Sequence, residues 1–567
     1  MLHYQIEFDD YRQHLMHVTV RFVAQPTQML WLPTWIPGSY LIREFSKHIE
    51  SIRAFDEDGR QLVLKKISKN QWQLTNTDFQ LTSVEYDVYA YDLSVRGAYV
   101  DQQRLYFNPA AVCLGLEDQD EAAVEVDIFL PPEMKHFQIA SGLETKSLVK
   151  GRFNLKADNY DHLIDSPIEL AEQDRFRFQA AGIEHEFVVS GKHAMNAARM
   201  QQDLEKICAT EIAMFGSAPF ERYTFMTIAT GNSYGGLEHR NSTSLITPRD
   251  DLPKNNEPEE PSEAYQRFLG LCSHEYFHSW LVKFIRPENF AQYQLNKESY
   301  TSLLWIFEGF TSYYDDLILL RSGVISQQSY LKLLKAQIDR YLQNPGRLVQ
   351  TVAESSFDAW VKFYRQDENS NNAGTSYYNK GSLVALCLDL GLRLRGSSLD
   401  ALMRRLYENT QKGIQVNERT IFDLCQELTG DSWLEQINHL INTTEELPID
   451  QLLPEFGIQY QLKDQKRLAF GMKTTEKPEG VVVQSVYRDS AAAQAGLSAH
   501  DVVIAIDGLK ASQKLLDQYA SQAGSYQVYA FRRDELLCFE LTGAASQLKE
   551  VDLAVIDQVK ADAWLNT

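Results

Sequence analysis

Residues 273–280 read Ser-His-Glu-Tyr-Phe-His-Ser-Trp, and the spacing of their polar side chains decides what this part of the chain can build. On an α-helix, residues i and i+4 lie one turn apart on the same face, so His274 and His278 can converge on one metal ion. Glu275 is rotated from His274 by about 100° and can reach a water at that ion without binding the ion itself. The five-residue pattern also arises by chance, so by itself it indicates only a candidate metal site.

The surrounding sequence predicts the helix that carries this pattern. A polar, proline-bearing loop at 255–261 precedes Ser262, which can cap a helix, and Glu263 suits the positive end of the helix dipole. No proline follows until Pro287, so we predict a helix over 263–285. Further helical stretches are predicted around 301–321, 326–343, 376–395, 398–409, 419–428 and 432–443.

One carboxylate, Glu308, lies in the otherwise apolar run 304–314, Leu-Trp-Ile-Phe-Glu-Gly-Phe-Thr-Ser-Tyr-Tyr. A buried Glu needs a partner, and a divalent cation is a suitable one. His274, His278, Glu308 and a water would form the open tetrahedral site of a catalytic zinc ion, one per chain. A helix cap or a salt bridge is the alternative role for Glu308. Asp315 and Asp316 are candidates to support the zinc-bound imidazoles, although two solvated charges are the simpler account.

The two segments together resemble the gluzincin metallopeptidases, in which HExxH on one helix is completed by Glu on the next. Residues 308–311, Glu-Gly-Phe-Thr, are similar to the aminopeptidases of that clan. The connection between His278 and Glu308, 29 residues long, exceeds the one usual in those enzymes. The long connection and the C-terminal module described below resemble the glycyl aminopeptidase family. This resemblance implies a thermolysin-like zinc domain, peptide substrates with a free N-terminus, and a preference for Gly or Ala there.

Residues 235–239, Gly-Gly-Leu-Glu-His, resemble the Gly-x-Met-Glu-Asn motif that lines the cleft of gluzincin aminopeptidases. By matched position, Glu238 would receive the α-ammonium group of the substrate, and Gly235 and Gly236 would let a peptide backbone approach closely. Leu and His replace Met and Asn, so a turn leading into a strand is the alternative. His239 either hydrogen-bonds the substrate or caps that turn.

Residues 377–381, Tyr-Tyr-Asn-Lys-Gly, resemble the Tyr-x-Lys-Gly segment of the same aminopeptidases. The resemblance implies that the Tyr378 hydroxyl stabilises the tetrahedral oxyanion, a contribution of roughly 3–4 kcal/mol for a donor aimed at developing charge. Without the resemblance, an aromatic residue on a helix surface is the simpler account of Tyr378.

The chain as a whole is predicted to be a multidomain mixture of α and β structure. Apolar and polar residues alternate at 4–8, 17–23, 84–91 and 124–130, which predicts strands. We expect a β-rich N-terminal domain at 1–175, a mainly helical zinc peptidase domain at 176–450, a PDZ-like β module at 455–545, and a tail at 546–567 that docks back onto the body.

The C-terminal module is compared with PDZ domains on the basis of residues 468–472, Leu-Ala-Phe-Gly-Met, and of the runs 490–497 and 501–508. A PDZ domain adds a ligand strand to a sheet edge and takes a peptide's terminal carboxylate on backbone N–H groups. The module would then bind a peptide C-terminus. A module that only packs on the catalytic domain is an equal alternative.

Composition excludes several classes of function. A formal net charge of −22 argues against nucleic acid as a partner. No apolar run approaches the ~18 residues of a membrane span, and the N-terminus does not resemble a signal peptide, so we expect a cytoplasmic protein. The six cysteines are scattered and form no CxxC motif, and most are expected in the core. The oligomeric state is not indicated.

The sequence therefore predicts a zinc-dependent aminopeptidase in which Glu275 is the general base. Two alternatives stay open, namely a zinc endopeptidase and a non-catalytic PDZ-type protein that binds peptides. An intact Glu275 argues against the second alternative, because a purely structural zinc site has no use for a general base.

Overall fold

The structure is a computed structural model that describes residues 1–75, 81–291, 293–464, 470–520, 522–543 and 549–567. The chain forms two compact units. The first unit contains residues 1–299, 322–325 and 406–416, and the second contains residues 300–321, 326–405 and 417–567. Within the described residues, every helix is too short or too polar to cross a lipid bilayer.

The N-terminal part of the first unit is rich in β-strands, as the alternating pattern predicts. In the strand Leu2–Glu7, for example, every second side chain is buried. The largest sheet of the described residues has, in spatial order, the strands Glu144–Val149, Arg152–Ala157, Val124–Phe129, Leu2–Glu7, Leu15–Val23, Leu81–Tyr89, Ile49–Asp56 and Gln61–Leu62. Two smaller sheets accompany it, one with Gln138–Ser141, Ile168–Ala171, Arg104–Phe107 and Ala98–Val100, the other with Gly115–Leu116, Thr27–Trp31, Gln71–Thr75 and Leu64–Lys66.

A further sheet of the first unit carries the predicted substrate-binding segment on its edge. Its strands, in spatial order, are Gln173–Ala180, Ile183–Ser190, Arg222–Thr230, Ser242–Pro248 and Gly235–Glu238. The edge strand Gly235–Glu238 pairs antiparallel with its neighbour and places Glu238 opposite Thr243. The Gly-Gly-Leu-Glu segment is thus a strand, and His239 is the first residue after it.

The helices of the first unit include the one that carries HExxH, which we call the motif helix (Glu263–Phe277). The others are Tyr160–Ile164 and Ala197–Phe215. Ser262 caps the motif helix as predicted, accepting a hydrogen bond from the Tyr265 amide at 3.4 Å. The predicted end near residue 285 is wrong, because the helix ends at Phe277 with His278 as its C-cap. Val282 has a positive φ of 96°, and the Ile285 amide donates back to the Trp280 carbonyl at 2.7 Å, so the chain turns there.

The second unit is mainly helical up to residue 455. Its helices are Leu304–Phe307, Gly309–Arg321, Gln327–Leu342, Val352–Phe357, Ser370–Ala373, Asn379–Arg393, Leu399–Gln411, Thr420–Thr429, Leu434–Asn442 and Ile449–Glu455. The helix Leu399–Gln411 belongs to the second unit up to residue 405, and its remaining residues belong to the first unit. The six helical stretches predicted from the sequence correspond to helices in this set. The predicted stretch 301–321 contains two helices, one that ends at Phe307 and another that begins at Gly309.

The C-terminal part of the second unit contains a β module followed by a docked tail. The module has strands Met472–Lys477, Gly480–Val486, Val502–Ile506, Leu509–Lys510, Gly524–Arg532 and Glu535–Gly543 and helices Ala491–Ala495 and Gln513–Ala520. Its core includes the fully buried Val481, Val503 and Val528. Residues 468 and 469, on which the PDZ comparison partly rests, lie outside the described residues, and the PDZ identity stays a prediction.

The tail begins with the strand Lys549–Val555, which pairs with Ile458–Asp464, and ends with the helix Gln558–Leu565. In that helix Trp564 is fully buried, and its indole N–H donates to the Tyr313 hydroxyl at 3.2 Å. The tail therefore packs on the helices of the second unit. The bounds of the four predicted segments, 1–175, 176–450, 455–545 and 546–567, stay predictions.

Five of the six cysteines are buried, as the sequence predicts for most of them. Cys538 is exposed, and the buried ones are Cys113, Cys208, Cys272, Cys387 and Cys425.

Candidate metal centre and substrate-binding residues

The last turn of the motif helix brings the two motif histidines together. The Nε2 atoms of His274 and His278 lie 3.1 Å apart. His278 is buried, and its Nδ1 lies 2.9 Å from the Leu281 carbonyl oxygen. Because a carbonyl only accepts, Nδ1 must carry the proton, so the lone pair of the neutral ring is on Nε2, which faces His274. This is the hydrogen-bonding arrangement that prepares an imidazole for a metal ion. The group that accepts from Nδ1 is a backbone carbonyl, which the sequence could not identify.

Glu275 lies on the same helix, buried against the edge strand. A Cβ atom added at Gly236 would overlap its carboxylate, so only glycine leaves room for this side chain. Burial raises the pKa of Glu275 to about 7; the His274 ring acts to lower it and the Glu238 charge to raise it. Within the described residues, Oε2 of Glu275 has no hydrogen-bond partner. A buried carboxylate oxygen without a protein partner fits a site that is completed by water and a cation.

Glu238 is also buried, with a relative exposure of 4%. Its carboxylate lies against Gly38, where a φ of +96° and the lack of space both exclude a side chain. In the described part of the chain, Oε1 of Glu238 has no hydrogen-bond partner. Arg96 holds the edge strand beside it by donating to the Gly236 carbonyl oxygen at 3.0 Å. Gly236, Glu238 and Glu275 are therefore neighbours, and Gly235 pairs with Ile246.

The sequence analysis missed both Gly38 and Arg96 as parts of this site. Gly38 lies in the segment 35–40, Trp-Ile-Pro-Gly-Ser-Tyr, where Pro37-Gly38 indicates only a turn. Nothing local distinguishes Arg96 from other arginines.

His239 belongs to a buried ionic cluster centred on Asp165. Asp165 Oδ1 lies 3.2 Å from Nδ1 of His239 and accepts from the Lys283 ammonium at 2.8 Å. Arg240 also donates to Asp165, from its backbone amide at 3.2 Å. Burial acts to raise the pKa of Asp165, but Lys283 and the hydrogen bond to His239 hold it well below its usual range. Burial lowers the pKa of His239, so its ring is neutral at pH 7. The cluster fixes the chain directly after Glu238.

The second unit contains the other two predicted site residues, Glu308 and Tyr378. Glu308 lies between two helices: its amide donates to the Leu304 carbonyl and its carbonyl accepts from the Ser312 amide, each at 2.8 Å. Its relative exposure is 2%. Such burial agrees with the expectation that its carboxylate has a polar or cationic partner.

Tyr378 begins the helix Asn379–Arg393 and is packed among aromatic rings. Its ring stacks on Tyr377 and Phe363, with centroids 4.7 and 5.4 Å away, and its hydroxyl lies 3.2 Å from that of Tyr364. Burial raises the pKa of Tyr378 well above its usual value, and the charge of Glu308 adds to this. The hydroxyl therefore keeps its proton at neutral pH.

A glycine contact brings the Glu308 segment and the Tyr378 helix together. A Cβ atom added at Gly381 would meet Cα of Gly309 at 2.9 Å and the Trp305 carbonyl oxygen at 3.1 Å. Both glycines lie in the quoted motifs, directly after Glu308 and Lys380, but the sequence analysis gave them no role.

Two family models match the chain. The Peptidase M61 N-terminal domain matches residues 3–172, and the M61 glycyl aminopeptidase model matches residues 267–384. The second range contains HExxH, Glu308 and Tyr378, whereas Glu238 lies outside both ranges. No curated protein sequence matches the chain.

Solved structures provide two further comparisons. An aminopeptidase N family protein from Idiomarina loihiensis is 41% identical, with a TM-score of 0.97, and 100% of each chain is covered. The M1 zinc metallopeptidase from Deinococcus radiodurans is 12% identical, with a TM-score of 0.49, and the match covers 79% of this chain and 94% of that one.

Proposed function

Because this chain belongs to the M61 glycyl aminopeptidase family and is thereby a zinc metallopeptidase, we propose that it removes one small residue, glycine or alanine, from the N-terminus of peptides. The observation that carries this proposal is the buried Glu238 carboxylate beside Glu275, with one oxygen that has no partner among the described residues. The α-ammonium group of a peptide is a ligand that would satisfy it by a charge-assisted hydrogen bond.

The proposed ligands of a single zinc ion are His274, His278 and Glu308. The proposal is supported by the His278 ring, whose Nδ1 proton is held by the Leu281 carbonyl, and by the buried position of Glu308 in its own unit. The match of the glycyl aminopeptidase model to residues 267–384 also supports it, since that range contains all three residues. When bound, zinc would polarise the carbonyl of the first peptide bond and make a water molecule more acidic.

The side chains of the site have distinct roles in this proposal. Glu238 binds the α-ammonium group and so sets which peptide bond is presented. Glu275 takes a proton from the attacking water and returns it to the leaving amine. Tyr378 donates a hydrogen bond to the developing oxyanion. Gly236 leaves the space that Glu275 occupies.

The proposal is tested with free and N-acetylated p-nitroanilides of glycine, alanine and leucine, assayed with and without a chelator. We expect hydrolysis of free glycyl and alanyl substrates, little hydrolysis of the leucyl substrate, and none after acetylation, because acetylation removes the charge that Glu238 binds. Equal hydrolysis of free and acetylated substrates would exclude the role of Glu238 and favour the zinc endopeptidase.

Replacement of the general base gives a second test. We expect Glu275→Gln to lower kcat about 10²–10⁴-fold while the zinc content, measured by atomic absorption, stays unchanged. Glu263→Gln, in the first turn of the same helix and exposed, is the matched control and should keep wild-type activity. Absence of activity in the wild-type protein itself would favour the non-catalytic peptide-binding alternative.

A further inference from the structure

A cavity of about 470 Å³ lies within the second unit, and its lining does not include the side chains proposed above to bind zinc or to act in catalysis. Its walls come from the end of the helix Gln327–Leu342, from the segment 361–376, and from the C-terminal module, which contributes Lys473 and Tyr487. This volume falls in the range of roughly 300–1,000 Å³ that is usual for pockets that bind small molecules.

The cavity is positively charged, although the chain has 77 acidic and only 55 basic side chains. Its lining has one acidic side chain, Asp367, and four basic ones: Arg340, Lys362, Arg365 and Lys473. Lys362 is paired with Asp358 at 2.8 Å. Among the described residues, the other three cations have no carboxylate within ion-pair distance, so the cavity has a surplus of positive charge.

Lys473 is an exposed side chain that contacts the cavity wall. Its ammonium group donates to the side-chain oxygen of Asn371 at 3.1 Å. Partial burial lowers the pKa of Lys473, and the positive charge of Arg340 lowers it further. Two like charges kept this close repel each other, and a bound anion between them would relieve the repulsion.

The wall between the helices and the module is also fixed. The Asn372 side chain is buried; it donates to the Val486 carbonyl at 2.9 Å and accepts from the Arg488 amide at 3.0 Å. The cavity is thus formed before any ligand enters, which reduces the entropy lost on binding.

The uncharged part of the lining is polar and internally hydrogen-bonded. Asn344 donates to the Gly374 carbonyl at 3.1 Å, and Ser355 donates to the Thr375 carbonyl at 2.5 Å. The Gln350 side-chain oxygen accepts from the Thr375 amide at 3.1 Å, so these groups hold the wall of the cavity in place. Phe363 lines the cavity, and its ring also stacks on Tyr378 at 5.4 Å. One aromatic ring therefore separates the cavity from the residue proposed to stabilise the oxyanion.

We propose that this cavity binds the free carboxylate of a short peptide, with Arg340, Arg365 and Lys473 as the cationic groups. The inference rests on the proposed function in one respect, namely that the ligand is a peptide. It makes short peptides with a free C-terminus the preferred class of substrate or product. The site differs from the sheet-edge groove of a PDZ domain, because two of its three cations lie outside the module.

The test is a calorimetric titration of the zinc-loaded, full-length protein with N-acetyl-trialanine and with its C-terminal amide, neither of which has a free α-ammonium group. We expect the acid to bind at least about tenfold more tightly than the amide, in line with the strength of a charge-assisted contact. Lys473→Ala and Arg340→Ala should each remove most of this difference, and Lys473→Arg should restore it.

Lysines on the same strand and the same helix provide matched controls for these two substitutions. Lys477→Ala lies on the strand of Lys473, and Lys332→Ala lies on the helix of Arg340; both side chains are exposed and outside the cavity lining. These controls should keep both the preference for the acid and the wild-type rate on glycine p-nitroanilide. Circular dichroism melting curves for all variants show whether a loss of binding reflects a loss of folding.

Three results would overturn the inference. The first is equal affinity of the wild-type protein for the acid and the amide. The second is a preference for the acid that survives in well-folded Lys473→Ala and Arg340→Ala proteins, since the carboxylate would then bind elsewhere. The third is displacement of the peptide by inorganic phosphate at equal concentration, which would make this a general anion site. If the protein hydrolyses no p-nitroanilide, the proposed function fails, but this titration still reports on the cavity.

Discussion

His185 is a fully buried residue whose two ring nitrogens have different partners. Its Nδ1–H donates to the Ile183 carbonyl at 2.9 Å, and its Nε2 accepts from the Tyr276 hydroxyl at 2.8 Å. Burial lowers the pKa of His185 to about 4, from an ordinary value of 6.5. The folded protein therefore keeps this ring neutral at a pH at which the unfolded chain binds a proton.

The pH dependence of stability follows from this difference. As pH falls from 6.5 to 4, the unfolded state binds more protons at this site, so the free energy of unfolding falls, by up to about 3 kcal/mol. We expect His185→Gln, which cannot titrate, to lose correspondingly less stability over this range. Urea denaturation of both proteins at pH 7, 5.5 and 4 measures the effect. Parallel losses in the two proteins would contradict the prediction.

The proposed role of Tyr378 gives a second prediction about a single residue. If its hydroxyl donates to the oxyanion, Tyr378→Phe should lower kcat about 10²–10³-fold and change KM little, because the contact forms only in the transition state. Tyr300→Phe, at a partly exposed tyrosine of the same unit, is the control. A variant that raised KM while keeping kcat would indicate a role in substrate binding instead.

The sequence identified the chemical types of the site residues better than their surroundings. The spacing of His274 and His278 is fixed by helix geometry, so their convergence could be predicted from the sequence. The Leu281 carbonyl that orients His278 depends on the turn after Phe277, which the sequence did not reveal. His239 was left open for the same reason, since its partner Asp165 lies 74 residues earlier in the chain.

At the scale of helices and strands, glycines set how closely neighbouring elements approach. Gly381 and Gly309 let the helix Asn379–Arg393 contact the helix Gly309–Arg321 through backbone atoms. Gly236 does the same for the edge strand and the motif helix, with the Glu275 side chain between them. In both places the lack of a side chain is what positions a residue of the proposed site.

We expect Gly381→Ala to lower the free energy of unfolding by about 1–3 kcal/mol, because the added methyl group meets backbone atoms that cannot move alone. Gly391→Ala, on the same helix, is the comparison: its new methyl group would meet the Trp433 side chain at 3.0 Å and no backbone atom at a shorter distance. Gly391→Ala should therefore lower the free energy of unfolding less than Gly381→Ala does, and the better helix propensity of alanine acts to raise it. Chemical denaturation of both variants measures these changes. A Gly381→Ala protein with an unchanged free energy of unfolding would disprove the tight contact.

Most elements were predictable, but their ends were less so. Alternation and helical periodicity predicted strands such as Val124–Phe129 and helices such as Gln327–Leu342, because both patterns are local. The motif helix ends eight residues earlier than predicted, since no proline or glycine marks the turn at Val282. Non-local contacts hold that turn, and local rules for helix ends do not include them.

At the scale of the whole molecule, the C-terminal tail is part of the second unit. Trp564 is fully buried, packs near Tyr330 and Phe456, and donates to the Tyr313 hydroxyl. Arg393 adds hydrogen bonds to the last residue, Thr567, at 2.7 and 2.8 Å. The tail therefore contributes to stability through packing that lies far from it in sequence.

Trp564→Ala should reduce the free energy of unfolding of the second unit by about 3–5 kcal/mol, the usual loss for a large buried aromatic side chain. Val559→Ala, on the same helix, is the control, because Val559 is 81% exposed and should change stability little. Calorimetric scans of both variants measure the difference. If both variants melted at the wild-type temperature, the tail would not be coupled to the fold of this unit.

The sequence by itself determined the HExxH motif, the family resemblance, the class of most elements and the division into β-rich and helical regions. These properties depend on spacings within one helix or strand, which the repeat of the backbone fixes. The tertiary structure decided what surrounds those residues: Gly38 and Arg96 beside the edge strand, the Asp165 cluster behind His239, and the basic cavity at Lys473. Their members are distant in the chain, and they meet only because the packing of many other side chains brings them together.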